Sequence, residues 1–149
     1  MKIFFSILIF YSFLFIDAFA DVKFSNYRDY KITNTNFQLE EIWKGLNYPW
    51  GMTFIDEENL LITEKSGGLL RINVSTREQF NIFHDLNILA SSQGGLLDVL
   101  YHDNYVYFSY THNYEDRHSS TSIARGKLVD DTIKDLNILF SAEPTIKTD

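Results

Sequence analysis

The chain predicts an all-β fold, a β-propeller of four-stranded antiparallel blades. Three observations carry this. Beyond residue 36 no helical period survives, and short apolar stretches alternate with turn residues. The stretches fall into two groups of four. The groups repeat, with Gly51 to Gly95 and Leu61 to Tyr105 both offset by 44. A four-strand unit recurring every ~40–50 residues is the period of a propeller blade. A β-sandwich also has short strands at regular spacing, but it does not predict a repeat in fours.

Residues 1–20 are expected to be a signal peptide. Lys2 makes a positive start, residues 3–16 form an apolar run, and Ala18-Phe19-Ala20 is a small-x-small cleavage site. The run is short for a spanning helix and Asp17 ends it, so no stable membrane anchor is expected. Export to the periplasm or medium follows. Cleavage would remove one basic and one acidic residue and leave the net charge at −7. So acidic a protein suits neither nucleic acid nor anionic membranes, which reward clustered Lys and Arg. The chain has no cysteine, which excludes disulfides, thiolate zinc sites and thiol catalysis.

Residues 21–36 are polar and aperiodic and read as an arm. The domain then covers residues 37–149 as a partial propeller. Residues 37–45 alternate in the manner of a strand, and Asn47-Tyr48-Pro49 is a turn. The first unit has strands near residues 50–55, 60–64, 69–73 and 79–83. The second has them near 95–101, 105–110, 121–128 and 133–140, with a longer loop at 111–120. In a blade the strands run up and down. The entry to strand one therefore shares a rim with the loop between strands two and three. Gln93, Asn47-Tyr48-Pro49, residues 65–68 and residues 111–120 fall on that rim, and His102 and Asp56-Glu57-Glu58 on the opposite one.

The stretch of most interest is Ser91-Ser92-Gln93-Gly94-Gly95, directly before Leu96-Leu97-Asp98-Val99-Leu100-Tyr101. Two glycines permit unusual backbone or close approach to a ligand. The apolar run after them reads as a strand buried on both sides, with Gln93 at its entry.

Several pieces together resemble the soluble glucose/sorbosone dehydrogenases, also called aldose sugar dehydrogenases. They are Tyr48-Pro49-Trp50-Gly51-Met52-Thr53-Phe54, Leu60-Leu61-Ile62-Thr63-Glu64-Lys65, Gly68-Leu69-Leu70-Arg71-Ile72, Gln93-Gly94-Gly95-Leu96-Leu97-Asp98-Val99 and Ser122-Ile123-Ala124-Arg125-Gly126-Lys127-Leu128. The order is the family's across residues 46–140. The resemblance implies a six-bladed propeller of which about two blades are present. It implies oxidation of an aldose at the anomeric carbon by hydride transfer to pyrroloquinoline quinone (PQQ), held with calcium over the central channel. Gln93 matches the glutamine that lines the family's cofactor and sugar pocket. The family's catalytic His, the basic residues that bind PQQ and the calcium ligands come later than this stretch. No catalytic or metal residue is therefore assigned here, and the chain is expected to be an amino-terminal part, inactive alone. The turn His102-Asp103-Asn104-Tyr105 is shorter than the family's usual His-Pro-Asp-Phe segment, but it lies on the far rim.

Other polar residues have plainer readings. Asp98, inside an apolar strand, is expected to be buried, and either hydrogen-bonded to nearby backbone or paired. Arg71 and Arg125 hold similar places in strand three of each unit and suit pairing with carboxylates between blades. His84 lacks a local carboxylate or serine motif and His102 falls on the opposite rim, while His112 and His118 share a loop with Glu115, Asp116 and Arg117 that could contact substrate or bind a metal weakly but reads first as a solvated polar loop. The alternative function is a non-catalytic propeller that binds protein or carbohydrate. A metal-dependent lactonase would need acidic and Asn ligands at several blade entries, which Gln93-Gly94-Gly95 does not offer.

Overall fold

The computed structural model describes residues 40–147. The expected signal peptide, the arm at 21–36 and the start of the strand expected at 37–45 lie outside the described residues. The compact unit runs from Ile42 to Asp149. Residues 40–46 form no strand, because nothing pairs with their backbone in a ladder. Instead Trp43 and Leu46 lay their side chains on a small cluster of Leu60, Ile62 and Ile72, and Arg77 donates to the Ile42 carbonyl.

Two antiparallel meanders follow. The first has β1 (Pro49–Phe54), β2 (Asn59–Glu64), β3 (Leu69–Asn73) and β4 (Gln79–Asn81), in that spatial order. The second has β5 (Leu96–His102), β6 (Tyr105–Asn113), β7 (His118–Val129) and β8 (Thr132–Ser141). A short β9 (Ile146–Lys147) pairs with the start of β7. The two units of four are thus two blades.

Local chemistry accounts for the turns. Asp56 accepts from the backbone N–H of Glu58 and Asn59, and Asn73 from those of Ser75 and Thr76, both as Asx turns. Asp103 and Asn104 both have positive φ, which gives the tight hairpin between β5 and β6 the twist of its strands. The loop expected at 111–120 is mostly strand. Pairing continues to Asn113↔Ser119, and one short 3₁₀ turn over Glu115–Arg117 closes it. The extra residues of the second unit lengthen a hairpin, because each added pair satisfies two more backbone groups.

The blades pack β5 against β1 and β2. Between them lie Leu61, Leu69, Leu96, Val99, Phe108 and Tyr110, all buried. Arg71 reaches across to Asp131 at 2.8 Å, as its place in strand three suggests, and its guanidinium also covers the Phe80 ring. Arg125, paired with Tyr107 as Arg71 is with Leu61, stacks on Tyr105 instead.

Each innermost strand carries a β-bulge at the same place. In β1 it falls between Pro49 and Met52, and in β5 between Leu96 and Val99. Gly51 N–H donates to Thr63 Oγ1 at 2.9 Å, and Asp98 N–H donates to Ser109 Oγ at 3.0 Å. Thr63 therefore corresponds to Ser109 and Gly51 to Asp98, offsets of 46 and 47 in place of 44. Asp98 is exposed, not buried. The bulge turns it out of the alternating pattern, and its carboxylate accepts the Val99 N–H at 2.9 Å. The strand is likewise covered on one side only, with Leu96 and Val99 inside and Leu100 exposed.

The two bulges are joined. Thr63 is fully buried, and its hydroxyl accepts from Gly51 and donates to the Leu97 carbonyl of the next blade. Gly51 fits because it has no side chain: a Cβ there would overlap the Asp98 carboxylate and backbone. Thr63→Val leaves the partly buried Gly51 N–H and Leu97 carbonyl without this partner. It should lower unfolding free energy by about 1–3 kcal/mol in urea titration, and Thr63→Ser should restore most of it. Gly51→Ala should lower stability by a similar amount, about 1–3 kcal/mol, through overpacking. Wild-type midpoints for both would contradict this joint.

Candidate functional site

The loops expected on one rim do gather there. Lys65 N–H donates to the Tyr48 carbonyl at 3.0 Å, and Leu96 N–H to the Lys65 carbonyl at 3.1 Å. Residues 47–49, the β2–β3 turn and the entry to β5 are thereby tied together. The connector between blades completes the rim. Ile88 bridges His112, Leu89 N–H donates to Thr111, and Asn87 exchanges hydrogen bonds with Asn113.

Gln93 sits at the crest of a tight turn in this rim. Gly94 N–H closes the turn onto the Ser91 carbonyl at 2.7 Å, and Ser92 takes a left-handed φ of 50°. The Gln93 side chain is exposed, and its amide has no hydrogen-bond partner among the described residues. An amide held out at a strand entry can offer one acceptor and two donor hydrogens to a ligand.

The glycines serve packing and conformation. Gly95 has φ 154°, and a Cβ on it would overlap the Lys65 carbonyl and side chain. A Cβ on Gly94 would come within 2.8 Å of Thr111 Oγ1. On the blade-two side, Gly95 exchanges hydrogen bonds with Thr111, donating to Oγ1 at 3.2 Å and accepting its N–H at 2.8 Å. The loop is thus pinched between Lys65 and Thr111. The Lys65 ammonium also donates to the Ser92 carbonyl, next to Gln93.

The histidines are placed for other tasks. His84 comes to the rim, where its Nε2 meets the Gly67 carbonyl at 2.9 Å and Nδ1 accepts from Leu86 N–H. It braces the β2–β3 turn. His112 Nδ1 meets Tyr110 OH at 2.9 Å, and its ring stacks on Tyr114 at 4.3 Å. Tyr110 is buried, which pushes its phenol above the ordinary value. The hydrogen bond to Ser120, at 3.3 Å, holds Tyr114 below it. His118 contacts Thr145, and His102 lies by Asp103 on the opposite rim. These side chains do not converge with Glu115 and Asp116. No group of three His, Asp or Glu among the described residues could hold a metal ion.

Sequence reasoning passed over Lys65, Thr63 and Thr111. A signal for the first was present. A Gly-Gly pair at a strand entry needs something pressed against it, and Lys65 ends the strand that shares its rim.

The comparisons with known proteins agree with the fold. The family model for glucose/sorbosone dehydrogenase matches residues 46–149. Escherichia coli K12 aldose sugar dehydrogenase is 27% identical over 118 residues, covering 74% of this chain and 32% of that protein. An uncharacterised protein from Synechocystis is 31% identical over 114 residues, covering 68% of the chain and 27% of the relative. A crystal structure of a glucose dehydrogenase superposes with TM-score 0.67 at 28% identity, over 72% of this chain and 33% of that one. The PQQ-bound aldose sugar dehydrogenase of Streptomyces coelicolor shares the fold at TM-score 0.62 and 20% identity, over 71% and 34%. The chain spans about a third of the length of these proteins. With the motifs, the two blades and the family match in agreement, the chain belongs to the glucose/sorbosone dehydrogenase family.

Proposed function

We propose that this chain forms part of an exported PQQ-dependent dehydrogenase that oxidises an aldose at its anomeric carbon. The observation that carries the reading is Gln93. In a chain of this family, its unpartnered amide stands on the rim at the entry of an innermost strand.

The residues present suit one wall of a cofactor and sugar pocket. The Gln93 amide can hydrogen-bond a quinone oxygen, a carboxylate or a sugar hydroxyl. When bound, PQQ supplies the acceptor for the hydride leaving the sugar C1, while the C1 hydroxyl proton passes to a base. Among the described histidines, His84, His112 and His118 reach this rim, where they meet the Gly67 carbonyl, Tyr110 and Thr145. The base is assigned to a later residue because the family resemblance puts it there. Gln93 orients, and the blade pair holds it still.

For calcium the fit fails. The described residues lack a set of three acidic or imidazole ligands. If calcium takes part, other residues hold it.

Two outcomes test this reading. In the full-length enzyme, Gln93→Ala should weaken PQQ or sugar binding roughly tenfold, the value of one or two hydrogen bonds, with the folding midpoint unchanged. Unchanged affinity for both ligands would sink the assignment. The 149-residue chain supplied with PQQ and calcium should give no sugar-dependent dye reduction. Clear turnover would show that the base and cofactor site lie within it.

A further inference from the structure

We propose that Lys65 is a positioning residue for Gln93, a clamp by which the first blade sets the ligand-facing loop of the second. The inference rests on the reading of Gln93 as a pocket wall.

Lys65 meets the loop three ways. Its carbonyl accepts the Leu96 N–H, which fixes where β5 begins. Its side-chain stem lies against Gly95, where no Cβ would fit. Its ammonium donates to the Ser92 carbonyl, in the residue before Gln93. Ser92 holds a left-handed φ that a serine seldom adopts unaided. A charge-assisted hydrogen bond on its carbonyl opposes relaxation of that conformation. From the other side Thr111 takes up the Gly95 backbone. Only Gln93, between these holds, has its side chain free of them. The backbone hold at Leu96 survives any substitution of Lys65, so the ammonium alone can be removed.

The side chain's role separates cleanly from general stability. Lys65→Met keeps the apolar stem and deletes the donor. Lys65→Arg keeps a donor at a similar reach. PQQ alone is the probe, titrated by fluorescence quenching into the full-length enzyme. Lys65→Met should weaken binding roughly tenfold, as expected for loss of one charged hydrogen bond that orients the loop. Lys65→Arg should stay within about threefold of wild type for the same reason. In a Gln93→Ala background, Lys65→Met should add less than about twofold, because the two act as one unit. Amide exchange at Gly94 should quicken roughly tenfold in Lys65→Met, while the amides of β6 keep their protection.

Losses that multiply in the double variant would overturn the clamp and leave Lys65 a separate contributor. So would wild-type affinity in Lys65→Met beside a weakened Gln93→Ala. Wild-type affinity for both PQQ and the aldose in Gln93→Ala would instead overturn the pocket reading on which the clamp depends.

Discussion

A buried hydroxyl joins the bulges of the two blades. Thr63 closes the bulge of its own blade through Gly51 and reaches the bulge of the next through Leu97. A bulge leaves backbone groups without ladder partners, and burying them unpaired is costly. Thr63 meets part of that cost in each strand, and in β5 Ser109 and the Asp98 carboxylate meet the rest. The arrangement works only if β1 and β5 approach closely, which Gly51 allows and any larger residue would obstruct. The apolar layer of Leu61, Leu96, Val99 and Phe108 then closes around it.

The same joint governs the rim. Thr63 is two residues from Lys65, and Leu97 two from Gly95. Once the bulges are locked, Lys65 and the Gly94-Gly95 turn can meet only in one register. The loop carrying Gln93 is therefore set by contacts from both blades: Lys65 from one, Thr111 from the other. If Gln93 contacts a ligand as proposed, it would lose little motion on binding, because its turn is held from both blades. The electrostatics of the rim are spare. Beside Gln93 the Lys65 ammonium is spent on the Ser92 carbonyl, so the turn itself presents a neutral amide.

Much of this was legible in the residues. Period and grouping gave the blades, because short strands and turn chemistry are local. Asp103-Asn104, Asp56 and Asn73 announce their turns for the same reason. The position of Gln93 followed from strand order alone. What escaped was non-local. The bulges shift the repeat by two to three residues and turn Asp98 outward, and a period count treats every strand as regular. The strand expected at 37–45 fails across its described part because alternation says nothing about a partner. The loop at 111–120 became hairpin because pairing between two polar segments leaves no apolar pattern to read. Lys65 looked like one more surface lysine until its partner 27 residues away came into view.

The most direct test of the account is a crystal structure of the full-length enzyme with PQQ and an aldose bound. The account predicts the Gln93 side-chain amide within hydrogen-bond distance of the cofactor or the sugar, on a turn closed as it is in the free protein. PQQ seated elsewhere, with the Gln93 amide facing solvent, would contradict it.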